Sequence, residues 1–169
     1  MACIDDVLED PVAGVRVVFR KTSRETNGRA VVVEMFLAPS ARAPGMQHLH
    51  PGQEERIDVL HGSVGFRLGR ELKVVGSGRR VTVPPRTRHV IWNAGDEVAH
   101  LVCELRPALR FESLIETLLA PPVGGKPNLL RRVMMAHEHF DTVRRPFPPG
   151  PIQRFGLAVG AGVGRALGY

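Results

Sequence analysis

Three histidines and one glutamate stand where their side chains can meet. His48 and His50 flank Leu49, Glu55 follows five residues later, and His89 opens the run HVIWN. On an extended backbone alternate residues share a face, so the imidazoles of His48 and His50 point the same way. With Glu55 and His89 they supply three nitrogens and one or two oxygens, a donor set suited to one divalent transition metal such as Fe, Mn, Ni, Zn or Co. The tripeptide His137-Glu138-His139 repeats the letters of the first pair but falls in a helical pattern. At 3.6 residues per turn its two imidazoles are about 200° apart, and the spacing of a zinc protease is missing. His61 and His100 read as structural groups.

The stretch that carries the four residues is a series of short strands. From Val15 to Arg106 β-branched and apolar runs alternate with turn residues: Arg29 to Leu37, Arg56 to Leu60, Val64 to Leu68, Leu72 to Val75, Arg79 to Val83, His89 to Asn93 and Val98 to Leu105. Gly62, Gly69, Gly76-Ser77-Gly78, Pro84-Pro85 and Gly95-Asp96 punctuate them. Strands at this spacing with no helix between them predict an antiparallel sandwich or barrel. By parity with the ligands, Ile57, Val59, Phe66 and Ile91 face the interior and line a pocket for a small molecule, whereas Glu54 and Trp92 face outward.

After Arg106 the period changes. Pro107 can open a helix over 108 to 119, with Phe111, Leu114, Ile115 and Leu118 on one face. PPVGGKP at 121–127 ends it, and a second helix from Asn128 to about Phe140 aligns Leu130, Val133, Met134 and His137. PFPPGP at 146–151 should break that one. The stretch from Phe155 to Tyr169 spaces Gly156, Gly160, Gly164 and Gly168 four apart. As a helix it would need support, since each interior glycine weakens it by about 1 kcal/mol relative to alanine. It reads as a tail docked on its own domain or on a second subunit. The expected organisation is a β domain over 1–106 and a helical extension over 107–169.

Composition narrows the function classes. A chain of 169 residues, 43% hydrophobic and 24% charged, folds as one ordinary domain with room for an appendage. The net charge of +6 is spread thinly: 15 Lys/Arg against 13 Asp/Glu before residue 107 and 8 against 4 after it. With one Trp and one Tyr to stack on bases, nucleic acid is not an expected partner. The uncharged stretch Phe155–Gly164 is ten residues long, against the ~20 a membrane span requires. An acidic N-terminus and two unpaired cysteines, Cys3 and Cys103, indicate a cytoplasmic protein.

Two motifs resemble those of a known family. His48-x-His50-x4-Glu55-x6-Gly62 looks like the first motif of the cupin superfamily, and Gly78-x5-Pro84-x-Arg86-x2-His89-x3-Asn93 looks like the second, with fifteen residues between them. The resemblance covers about Val31 to Arg106. It implies an all-β double-stranded β-helix, a jelly-roll barrel, followed here by C-terminal α-helices, with a metal inside held by His48, His50, Glu55 and His89. Two positions depart from the pattern. Arg42 stands six residues before the first histidine, where glycine is expected, although Gly45 lies nearby. Arg86 replaces the glycine of the Pro-x-Gly turn, so a turn that needs positive φ would strain it.

Small cupins with this ligand set are similar to dioxygenases, isomerases and decarboxylases acting on compact metabolites. The expectation is therefore a metal-dependent enzyme that oxygenates or enolises a small molecule, with Glu55 as ligand and base. The alternative is a cupin that binds a metal or small molecule without turnover. An epimerase of nucleotide-linked sugars needs a tyrosine acid, and the single tyrosine, Tyr169, is the last residue. Apolar helical stripes beyond what the barrel absorbs point to a homodimer.

Overall fold

The computed structural model describes residues 2–44, 47–120 and 129–166. Nine strands precede three helices among them: β1 (Val7–Asp10), β2 (Val15–Lys21), β3 (Val31–Leu37), β4 (Glu54–His61), β5 (Ser63–Leu68), β6 (Glu71–Gly76), β7 (Arg80–Val83), β8 (His89–Asn93), β9 (Ala99–Arg106), α1 (Phe111–Leu119), α2 (Leu129–Glu138) and α3 (Gly150–Ala166). One antiparallel sheet runs β1-β2-β3-β9-β4-β7 and a second runs β6-β5-β8. The all-β fold and its C-terminal helices are those expected, in the form of two facing sheets.

Alternation builds the core between the sheets. Val31, Val33, Met35 and Leu37 on β3 and Ala99, Leu101, Cys103 and Leu105 on β9 are all buried, and Phe19, Val64, Phe66 and Ile91 meet them from other strands. Each large side chain so buried stabilises the fold by about 1.5–3 kcal/mol. Gly62 turns β4 directly into β5 at φ 80, a left-handed conformation glycine adopts without strain. Gly65 has another reason to lack a side chain. The Trp92 ring lies across it, and a Cβ would fall 2.1 Å from the indole Cε2.

The ends of elements differ from the sequence reading in places. β1 is an added edge strand, too short and too exposed to show an apolar run. α1 starts at Phe111 rather than 108, because Leu109 takes φ 47 and the Ala108 N–H donates to the Gly28 carbonyl, which holds 106–110 out of helix. Phe111, Leu114, Ile115 and Leu119 join the core, and Leu118 is half-buried. PFPPGP breaks the chain only as far as Pro149, since Gly150 and Pro151 already belong to α3. Proline suits a first helical turn, where its missing N–H has no intrahelical role.

The glycine-spaced helix docks on its own chain. Gly160 packs against Val133 of α2 so closely that a Cβ would sit 2.6 Å from Val133 Cγ1, and Ala161 and Gly164 are buried. Ile152, Phe155, Val159 and Val163 face outward. No helix among the described residues is long and apolar enough to cross a membrane. Gly45, the 121–127 breaker, Gly168 and Tyr169 lie outside the described residues, as does the side chain of Leu130.

Candidate metal centre

Backbone pairing brings the four residues together. His48 lies beside the first residue of β8: its N–H donates to the His89 carbonyl at 3.1 Å, and the His89 N–H donates back to the His48 carbonyl at 2.8 Å. This isolated antiparallel bridge fixes the register of the two imidazoles across the strand pair. Glu55, second residue of β4, is paired with Val83 on one side and Leu105 on the other, so its inward face is set by two neighbours. Its carboxylate emerges into the space between the sheets.

The three histidines offer ligand atoms that all lie within 4.8 Å of one another. Glu55 Oε2 is 3.0 Å from His89 Nε2 and 3.8 Å from His50 Nε2. His89 is fully buried, His50 and Glu55 nearly so, and His48 is half-buried, which leaves its side as the least covered edge. Second partners orient the rings. His50 Nδ1–H donates to the Thr142 carbonyl at 2.7 Å and His89 Nδ1–H to the Thr87 carbonyl at 3.0 Å. Each bond fixes the tautomer and leaves Nε2 as a lone pair aimed inward, the usual support of a metal-ligating histidine.

Charge follows from burial and proximity. Burial alone would raise the Glu55 carboxyl, but the imidazoles of His89, His50 and His48 around it hold it at about 2. It is therefore a carboxylate at neutral pH. Burial pushes His50 below its ordinary value despite Glu55. His89 is also pushed down by burial, but contact with Glu55 outweighs that and raises it. The pair attracts one positive charge into a nearly dry site.

Those atoms fit a cation. Glu55 Oε2 and His89 Nε2 face one another at 3.0 Å without the alignment of a hydrogen bond, and both are buried with no hydrogen-bond partner. A carboxylate oxygen and an imidazole lone pair, both acceptors, are stable side by side only with a proton or a metal ion between them. Three nitrogens and an oxygen are a donor set that a divalent transition metal accepts.

Ile57, Val59, Phe66 and Ile91 are buried on the inward face, Phe66 opposite Ile91 in adjacent strands. Glu54 and Trp92 have the opposite parity and are half-buried. The remaining histidines stand apart. His61 pairs with Glu97 at the surface, and His100 stacks on Phe36 and approaches Glu34. α2 ends at Glu138, so His139 lies just beyond the helix, buried, while His137 stays on it. Arg86 does adopt the glycine-like conformation, at φ 64. Cys103 is buried, which pushes its thiol up and leaves it a core residue.

Several contributors have no signature in the sequence. Thr142 acts on His50 through its backbone carbonyl, which any residue would supply. Phe111 of α1 lies edge-on to His50 at 6.3 Å. Gln53 is fully buried; its amide nitrogen donates to the carbonyls of Pro107 and Ala108, tying the start of the helical extension to the segment before Glu55. A glutamine two residues before Glu55 was the available hint.

Comparison with known proteins agrees with this architecture. The Cupin_2 family model, a cupin domain, matches residues 33–103, which include all four residues of the site. No curated protein matches the chain. Among solved structures, KdgF from Halomonas sp. superposes with a TM-score of 0.52 at 15% identity over 63% of this chain and 94% of its own. An RmlC-like cupin from Shewanella frigidimarina gives 0.54 at 19% over 64% and 88%. A predicted oxalate decarboxylase from Thermotoga maritima gives 0.52 at 18% over 55% and 80%. At these identities the structures speak for the fold. The matched model, the two facing sheets and the motif positions together identify residues 33–103 as a cupin domain.

Proposed function

We propose that the protein is a metal-dependent cupin enzyme that oxygenates or enolises a small metabolite. The observation that carries the reading is the convergence of three imidazole nitrogens, from His48, His50 and His89, beside the ionised Glu55 carboxylate. His48, His50, Glu55 and His89 are the ligands in this reading. A divalent ion held there would supply Lewis acidity, or a redox centre if the metal is Fe or Mn. The protein's own groups set what it meets. Three neutral imidazoles and one carboxylate leave the centre with a net charge of about +1, so it favours an anionic, chelating substrate. Ile57, Val59, Phe66 and Ile91 keep the interior apolar and exclude water. Glu55, so strongly ionised, serves first as an anionic ligand and only secondarily as a proton acceptor. The half-buried His48 edge is the side from which a substrate would enter.

The burial of three of the four side chains also favours a second reading, a cupin that holds metal or a small ligand without turnover. The protein is further proposed to act in the cytoplasm, where its unpaired cysteines suit a reducing setting, and as a homodimer. Metal analysis of protein purified without chelator tests the site. Anaerobic reconstitution with Fe(II), followed by oxygen uptake and substrate loss over catechols, flavonols and β-dicarbonyls, tests the chemistry. Turnover of none of them, with a small molecule copurifying, would replace the enzyme by the binding protein.

A further inference from the structure

We infer a second binding site, an arginine-lined pocket for a phosphoryl group, on the outer side of the segment that bears His48 and His50. A cavity of about 320 Å³ opens there, with Leu49, Arg86, Arg144, Arg145, Pro148 and Gln153 in its wall. Three arginines and no acidic residue line it. Asp141 approaches Arg144 Nη2 at 3.6 Å and is itself mostly in solvent. Arginine keeps its charge at any physiological pH. Three such charges around one concavity repel one another, and an entering dianion removes that repulsion.

Arg86 is the most informative of the three. Its backbone takes φ 64, where a side chain is strained and glycine is not. The backbone task at this turn is to donate its N–H to the His50 carbonyl at 2.7 Å, which a glycine would do as well. Strain at this position is therefore retained for the side chain, and the Arg86 guanidinium makes no hydrogen bond or ion pair among the described residues.

The rest of the wall is fixed in advance. Arg144 Nε donates to the Phe140 carbonyl at 2.9 Å, and the guanidinium lies 4.0 Å above the Phe140 ring. The backbone of Arg144 pairs with Leu49 in both directions at 2.9 Å. Gln153 Nε2 donates to the Arg145 carbonyl at 2.7 Å. A phosphoryl group, with three terminal oxygens and nearly two charges, matches several guanidinium forks at once in a way a single carboxylate does not. The cavity is large enough for the monoester of a small metabolite.

The site does not depend on the metal, so its test is independent of the proposed reaction. Isothermal titration of the full chain with inorganic phosphate at neutral pH and low salt, with and without chelator, should show saturable one-to-one binding. Loss of one charged contact removes about tenfold in affinity or more, so Arg86→Gly should weaken phosphate at least that much. The thermal midpoint of that variant should stay level or rise, because the strained φ is relieved. Arg145→Ala should weaken phosphate likewise, and sulfate should compete where acetate does not. Absence of saturable phosphate binding by the natural chain up to about 10 mM, or unchanged binding by Arg86→Gly, would overturn the site. Acetate binding as tightly as phosphate would overturn the phosphoryl assignment.

Discussion

Replacing Glu55 by Gln in metal-free protein removes the charge on which the candidate centre is built. The carboxyl is held at about 2 against an ordinary 4.5. At about 1.4 kcal/mol per unit this shift corresponds to roughly 3 kcal/mol of stability, with no discount for solvent since the side chain is nearly buried. The new carboxamide can donate one hydrogen bond to an imidazole, which offsets about 1 kcal/mol, leaving a loss of about 2–3 kcal/mol. The pH window follows from the two partners. The Glu55 contribution is full above 4.5 and is lost as pH falls through about 2. The His89 contribution is full below 6.5 and is lost as pH rises through its raised value. The difference between natural chain and variant should therefore be largest between about pH 4.5 and 6.5 and shrink as pH rises through the raised His89 value. Urea denaturation in chelator, followed by the fluorescence of the single tryptophan, measures it. For a chain of this size the loss equals a fall of roughly 5–10 °C in melting midpoint. Equal stabilities near pH 5.5, or a gap that widens towards alkaline pH, would refute the pairing of Glu55 with the imidazoles.

His50→Ala and His89→Ala should each abolish stoichiometric metal in elemental analysis, and a full equivalent retained by both would remove them as ligands. Metal affinity should fall as pH drops through the imidazole range around 6.5, protons competing first, above that value, at His89, whose pKa is raised, and last at His50, whose value burial lowers. A metal titration across that range that shows no pH dependence contradicts imidazole ligation. Gly65→Ala places a methyl 2.1 Å from the Trp92 ring and should destabilise the protein by about 1–3 kcal/mol in the same denaturation assay, with a change in tryptophan emission. Light scattering at micromolar concentration should give twice 18.5 kDa, and a monomeric mass would exclude the homodimer.

Where the chain shows strict alternation, the sequence reading reached the structure closely. β8 matches the expected run His89 to Asn93 at both ends, because an inward histidine, isoleucine and asparagine alternate with outward valine and tryptophan. The convergence of His48, His50 and His89 was legible from parity and motif spacing together. Parity alone would not have sufficed, since His48 belongs to an isolated bridge rather than to a full strand. The helical extension was readable as helices but not in its ends, which depend on Leu109 turning left-handed and on proline being tolerated at the start of α3. What covers the site was not legible, because Thr142 and Thr87 contribute carbonyl oxygens that carry no side-chain identity.

The hydrogen bond from His50 to the Thr142 carbonyl spans 92 residues of sequence, and that separation is also a delay during synthesis. At about 5–20 residues per second on the ribosome, roughly 5–20 s pass between the appearance of His50 and that of its orienting partner. Throughout that interval the imidazole is free to choose either tautomer, and its neighbours can take up whatever soft cation the surroundings offer. If the proposed centre takes up a metal, its final selection would belong to a late step of biogenesis, once Thr142 has closed over His50 and fixed its ring.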